Sequence, residues 1–159
     1  MQQVIVVNIS DMKVSRKPGD VLTTYSLGSC VGVAAWDPKA LVGGLIHCLL
    51  PLSTSSPLRA QENPYMFVNT GVGTMLKTLF RMGATRESII LKAAGGADMR
   101  GNDLFHTGAR NTEVLRELLT RHGFTLAAAE FGGSIPRGLT LFTDTGRVSV
   151  KTFGKEHDL

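Results

Sequence analysis

Apolar positions along the chain fall into short β-like runs interrupted by two stretches at helical spacing. Residues 4–9 form a first β run, Ser15 to Asp20 read as a turn around Pro18-Gly19, and residues 21–25 form a second strand. A small-residue loop, Gly28-Ser29, then leads through Cys30 into an apolar run over residues 31–36. Asp37-Pro38-Lys39-Ala40 carries the chemistry of a type I turn, and a second apolar run covers residues 41–50. Two such runs around a turn predict an antiparallel hairpin. After Pro51 the polar segment 53–57 reads as a loop. From Asn63-Pro64 onward Val68, Val72, Met75, Leu76, Leu79 and Phe80 recur at helical spacing, with Gly83 as the stop. Gly71 and Gly73 lie inside this helix and predict close internal packing. Residues 88–94 predict a strand ending at Gly95-Gly96, residues 109–122 a second helix and residues 124–131 another strand. Residues 139–143 and 147–153 predict a terminal hairpin through Asp144-Thr145-Gly146. About seven strands and two helices, with strand pairs at both ends, make the expected class α+β with largely antiparallel sheet.

The hairpin register carries the first chemical expectation. With its turn centred between Pro38 and Lys39, Cys30 and His47 fall opposite one another on one face, their Cβ atoms roughly 4.5–5.5 Å apart. A thiol beside an imidazole is a candidate nucleophile–base pair, and such a base needs a third group to orient its ring. No acid lies in the local segment before Asp37, so a hydroxyl from Thr24, Ser26 or Ser29 is the expected orienter. An imidazole beside a thiol can lower its pKa through an imidazolium–thiolate pair. Gly28-Ser29-Cys30-Val31-Gly32 also fits the G-x-nucleophile-x-G elbow, but that corner needs a helix after it, and a strand is predicted here.

Composition narrows the alternatives. The 159 residues are expected to form one domain, 1–159, long enough to bury about 68–70% of the unfolded surface. Apolar content of 43% against 19% charged places the chain among globular proteins. A net charge of +4 suits acidic partners, but the basic residues are scattered without interleaved aromatics, which argues against nucleic acid. Met1-Gln2-Gln3 lacks a basic signal-peptide start, and the run over residues 41–52 is too short for about 30 Å of hydrocarbon. A cytoplasmic protein without membrane insertion is therefore expected. Cys48 points away from Cys30 in the hairpin and reads as a small core residue, not a disulfide partner. The same opposition removes a zinc site on Cys30, His47 and Cys48, and no cofactor or metal is expected. Gly95-Gly96 follows a strand, but Asp98-Met99-Arg100 does not open a helix with a dinucleotide fingerprint.

Several motifs carry a resemblance that covers nearly the whole chain. Thr24-x-x-Leu27-Gly28-Ser29-Cys30-Val31 and Gly43-Gly44-Leu45-x-His47-x-Leu49-Leu50-Pro51 are joined by Ala94-Gly95-Gly96-Ala97, Gly108-Ala109-Arg110-Asn111, Gly132-Gly133 and Thr145-Gly146-Arg147-Val148. In these the chain resembles CheD, the chemoreceptor glutamine deamidases of bacterial chemotaxis. The resemblance implies a layered sandwich of two packed β-sheets with two main helices outside, akin to other cysteine deamidases. It implies Cys30 as nucleophile, His47 as base and Thr24 as the residue holding the imidazole, with Gly28 and Ser29 supporting an oxyanion. Gly95, Gly96, Arg110, Asn111 and Arg137 are expected substrate or partner contacts. Implied partners are the cytoplasmic helices of methyl-accepting chemoreceptors and a CheC-type phosphatase; a non-catalytic adaptor that binds both is the alternative function. The chain departs from the family where many members carry Asn-Arg after the glycine pair: Ser134-Ile135-Pro136 precede Arg137 here.

Overall fold

Two five-stranded sheets face each other, and two helices cover the outer face of one of them. The computed structural model describes residues 2–101 and 104–159. The first sheet runs β1 (Val4–Val6), β3 (Val21–Leu27), β8 (Arg137–Phe142), β9 (Val148–Thr152), β10 (Lys155–Asp158). The second runs β2 (Asp11–Ser15), β5 (Val42–Cys48), β4 (Val31–Asp37), β6 (Ile90–Gly95), β7 (Leu126–Phe131). The chain also forms α1 (Pro57–Glu62), α2 (Val68–Arg81) and α3 (Thr107–Arg121). Pairing is antiparallel except for β1–β3 and β6–β7, so the α+β sandwich expected from the sequence is the fold.

Alternation along β4 and β5 builds two cores from one pair of strands. Ala34 and Leu45 point between the sheets, where they meet Leu22, Leu27, Leu139 and Leu141. Val33, Ile46 and Cys48 point the other way, against Val72, Met75 and Leu79 of α2 and Leu115 of α3. Every residue of β5 is buried, which explains its unbroken apolar run. No helix among the described residues is long and apolar enough to cross a membrane.

Several elements lie outside the predicted set. β2 covers residues 11–14, for which no element is predicted, and Ser15, expected in the turn; only Met12 and Val14 signal it, and both pack on the helix-side core. β10 is Lys-Glu-His-Asp, wholly exposed, an edge strand with no apolar pattern to betray it. Part of the segment expected as a loop over residues 53–57 forms a 3-10 turn, and Pro57 opens α1 at its first position, where its missing N–H is harmless.

The β4–β5 hairpin forms, but in another register. Asp37 pairs with Val42, leaving a four-residue loop, Pro38 to Leu41, in place of the two-residue turn assumed from Asp-Pro. Asp37 is fully buried and drives this: Oδ1 accepts from the Lys39 and Ala40 N–H groups, both at 2.9 Å. Its Oδ2 accepts from Thr85 N–H at 3.0 Å and from Ser88 Oγ. Leu41 takes φ +56° to close the loop. His47 consequently faces Gly32, not Cys30. A slip of two residues preserves the face, so Cys30 and His47 stay on the inter-sheet side as diagonal neighbours.

Candidate functional site

His47 is held by a residue of the opposite sheet. Thr24 Oγ1 lies 2.7 Å from His47 Nδ1 and donates to the Val7 carbonyl at 2.7 Å, all three groups being buried. The carbonyl can only accept, so the single hydroxyl proton points to Val7 and the ring must supply the proton of the second bond. The imidazole is therefore the Nδ1–H tautomer, with the lone pair on Nε2. That Nε2 is buried and has no hydrogen-bond partner among the described residues. Thr24 and Val7 sit on or beside the parallel β1–β3 pair, so the base of one sheet is oriented by the main chain of the other.

Cys30 stands at the corner between β3 and β4, 7% exposed. Four neighbours fix that corner. The Gly28 carbonyl accepts from Ala97 N–H and the Cys30 carbonyl from Gly96 N–H, both at 2.8 Å. Gly95 runs so close beneath that a Cβ there would lie 2.1 Å from the Cys30 oxygen, and its φ of +122° is glycine territory. Asn111 donates to the Ser29 carbonyl at 2.8 Å.

The electrostatics of the pair run against the imidazolium–thiolate expected from the sequence. Burial pushes the Cys30 thiol above its ordinary value, an effect its own backbone N–H only partly offsets. Burial pulls His47 down to about 4. With no S–H···Nε2 bond closed and both charged forms disfavoured, the resting pair is neutral thiol and neutral imidazole. Cys48 lies in the other core, pushed further up by full burial with Cys30 adding to it, and both cysteines are free.

The remaining expected positions divide. Gly28 does not have a spare donor, because its N–H is bound to the Ser26 carbonyl at 2.9 Å. The N–H groups of Ser29 and Cys30 donate to no other backbone group among the described residues, so those two are the candidate oxyanion donors at this corner, the Cys30 N–H lying against its own thiol. Asn111 and Arg137, expected as contacts for a substrate or partner, are buried. Arg137 pairs with Glu130 at 2.8 Å and reaches the Gly95 carbonyl at 3.3 Å. Glu130 in turn meets His157 at 2.7 Å, and these bonds outweigh burial to hold its carboxyl below the usual range. Arg110 is half-buried, in an ion pair with Glu113 at 3.2 Å. The Val7 carbonyl, the third member of the His47 relay, was missed: a backbone atom leaves no trace in a residue pattern.

Beside the corner opens a cleft of about 400 Å³ lined by Ser29, Ala97, Met99, Arg100, Leu104 and Phe105, among others. Leu104 and Phe105 are 87% and 84% exposed, an unusual outlay of apolar surface next to a buried polar pair. Met99 lies over Gly28, whose missing Cβ would sit 3.0 Å from its sulfur.

A sequence model described as CheD chemotactic sensory transduction matches residues 49–152. The chain belongs to the CheD family. That match starts after His47, but relatives extend across the pair. The probable chemoreceptor glutamine deamidase CheD of Solibacter usitatus is 41% identical over 160 residues, covering 100% of this chain and 94% of its own. The protein of the same name from Symbiobacterium thermophilum is 42% identical, covering 96% of this chain and 95% of its own. Among solved structures, a Bacillus licheniformis hypothetical protein, YfiH, superposes with a TM-score of 0.50 at 16% identity. It covers 76% of this chain, which spans about half of that protein's length, and the likeness concerns the CheD fold alone.

Proposed function

We propose that this CheD-family chain is a protein-glutamine deamidase, a hydrolase of carboxamide C–N bonds acting on the cytoplasmic helices of methyl-accepting chemoreceptors. The observation that carries the reading is the bare Nε2 of His47, its tautomer fixed by Thr24 and Val7, on the same strand face as Cys30. In the first step Cys30 Sγ attacks the side-chain carbonyl carbon of a glutamine while His47 Nε2 takes the thiol proton. The oxyanion is met by the N–H groups of Ser29 and Cys30; one such donor is typically worth about 2.7–4 kcal/mol. Collapse breaks the C–N bond, and the imidazolium returns its proton to the departing nitrogen, which leaves as ammonia. Water then attacks the thioester with His47 again accepting a proton, giving glutamate and the free thiol.

A burial-raised thiol suits this order of events. The sulfur ionises only as it attacks, so the protein holds no standing thiolate open to oxidation. The apolar lip of Met99, Leu104 and Phe105 supports a macromolecular substrate docking beside the corner, and the net charge of +4 supports an acidic one. Receptor helices of this kind lie in the cytoplasm, which is where the reading places the protein. A CheC-type phosphatase is the second partner that fits the family.

The test is ammonia release from a purified receptor cytoplasmic fragment. The deamidase reading expects release by wild type and none by Cys30→Ala. If both are silent while the chain still binds receptor or phosphatase, the adaptor role replaces it.

A further inference from the structure

The β4–β5 ladder stops one rung short of Cys30. Its last pair is Val31 with Cys48, and the next would join Cys30 to Leu49. There the strands part: Leu49 N–H turns to the Met66 carbonyl at 2.9 Å, and the Cys30 carbonyl takes Gly96 N–H. A side chain from α3 spans the gap. Asn111, fully buried, donates one amide proton to the Ser29 carbonyl at 2.8 Å and the other to the Leu49 carbonyl at 3.1 Å. Two carbonyls facing the same nitrogen fix the amide's orientation, since neither can donate. The other end, Oδ1, is buried without a partner among the described residues. The fold thus keeps an amide here although half of it goes unsatisfied.

We propose that Asn111 is a positioning residue for the thiol–imidazole pair. It replaces the missing rung and sets how far the Cys30 corner opens from the strand that carries His47. Ser29 directly precedes Cys30, and Leu49 follows His47 by two residues on the same face. One nitrogen holding both carbonyls therefore fixes the separation of the two backbones from which Sγ and Nε2 project. Misplacement of reacting groups by about 1 Å can cost 10²-fold in rate, so such a tether matters to the chemistry. The proposal rests on the roles assigned to Cys30 and His47, but its test needs neither receptor nor ammonia.

The experiment is alkylation of Cys30 by iodoacetamide at neutral pH, read by mass on the Cys30 peptide so that Cys48 does not contribute. Wild type, Asn111→Leu, His47→Ala and the double variant form a cycle. Asn111→Leu is expected to slow Cys30 alkylation about tenfold, and His47→Ala at least as much. In the double variant the loss matches that of His47→Ala alone, within about twofold. Asn111→Ser, which keeps one donor, should fall between wild type and Asn111→Leu. An unchanged rate in Asn111→Leu overturns the proposal. So does an equal loss with and without His47, which marks an effect on folding or access, and so does a rate indifferent to His47→Ala. Should Asn111→Leu fail to fold by circular dichroism, Asn111→Ser and Asn111→Asp carry the same cycle. Asn111→Asp, with no donor, is then expected to lose the most. If the cycle holds and no ammonia is released from receptor, the deamidase reading alone fails.

Discussion

Thr24 Oγ1 and His47 Nδ1 meet at 2.7 Å across the gap between the two sheets, with the hydroxyl proton committed to the Val7 carbonyl. Removing the hydroxyl leaves a buried Nδ1–H unpaired and frees the ring to adopt the other tautomer, which puts a proton on the atom that must accept one. Thr24→Val is expected to cut kcat for ammonia release about 10²-fold, the range over which a positioned base typically contributes. Stability should fall by about 1–3 kcal/mol from the unsatisfied donor. Thr24→Ser keeps the oxygen and should retain most of both. Steady-state kinetics and denaturant melts on the two variants check this.

A neutral resting pair makes a specific pH profile. With His47 held at about 4, the base is unprotonated across the physiological range, so the acid limb of kcat/KM lies near that value and not near 6.5. No alkaline fall is expected between about pH 7 and 9, whereas an imidazolium–thiolate pair loses activity there as the imidazolium deprotonates. The same depression tilts stability. Between 6.5 and about 4 the unfolded chain binds a proton that folded His47 refuses. Stability therefore falls as pH drops through that window, by up to about 3 kcal/mol. Urea titrations across it should show the slope in wild type and its loss in His47→Gln.

Asp37 is a buried carboxylate that four donors hold. Burial works against its charge, but the bonds from Ser88, Ala40, Thr85 and Lys39 outweigh it and keep the carboxyl below its ordinary value. Asp37→Ala strands three backbone N–H groups and should destabilise by about 3 kcal/mol. The wild-type contribution is fully present above the unfolded carboxyl pKa of about 3.9 and is lost as pH falls through the lower folded value. Chemical denaturation of wild type and Asp37→Ala should converge in acid; curves that stay parallel contradict the assignment.

Gly71 and Gly73 sit in the same helix and should respond in opposite directions. A Cβ at Gly71 would lie 2.8 Å from Ile46 Cδ1 and 3.0 Å from the Tyr65 Cα, and backbone cannot give way cheaply. At Gly73 nothing lies within 4 Å. Gly73→Ala should stabilise by about 0.5–1 kcal/mol through helix propensity alone. Gly71→Ala should destabilise, because overpacking typically costs about 1–3 kcal/mol. Thermal melts of the two variants decide it.

What could be read from the residues depended on whether the signal was apolar. β4, β5, α2 and α3 bury broad faces, and their runs and helical spacing place them within a few residues. β10 buries nothing and β2 little, so neither showed. Asp37-Pro38 reads as a short turn because its usual role is local. The side chain also reaches Thr85 and Ser88, far along the chain, and that stabilises the longer loop. The two-residue register error left Cys30 and His47 on the right face only because the slip was even. Thr24 was legible as a hydroxyl near the pair. Val7 was not, since it acts through its carbonyl, nor was Asn111, whose motif looks like a surface contact and whose amide lies inside. Gly73, expected in close packing, faces open space, because a glycine does not reveal which of its neighbours is near.

The central claim is that Cys30 Sγ becomes covalently bonded to a receptor glutamine side chain and that His47 drives the transfer. It is tested most directly by acid-quenching the protein with a receptor cytoplasmic fragment during a single turnover and mapping the mixture by mass. The account predicts a transient thioester joining the Cys30 peptide to a receptor peptide, decaying as ammonia and glutamate appear, and absent in Cys30→Ser. Ammonia released at the wild-type rate by Cys30→Ser, with no adduct at that peptide, would contradict it.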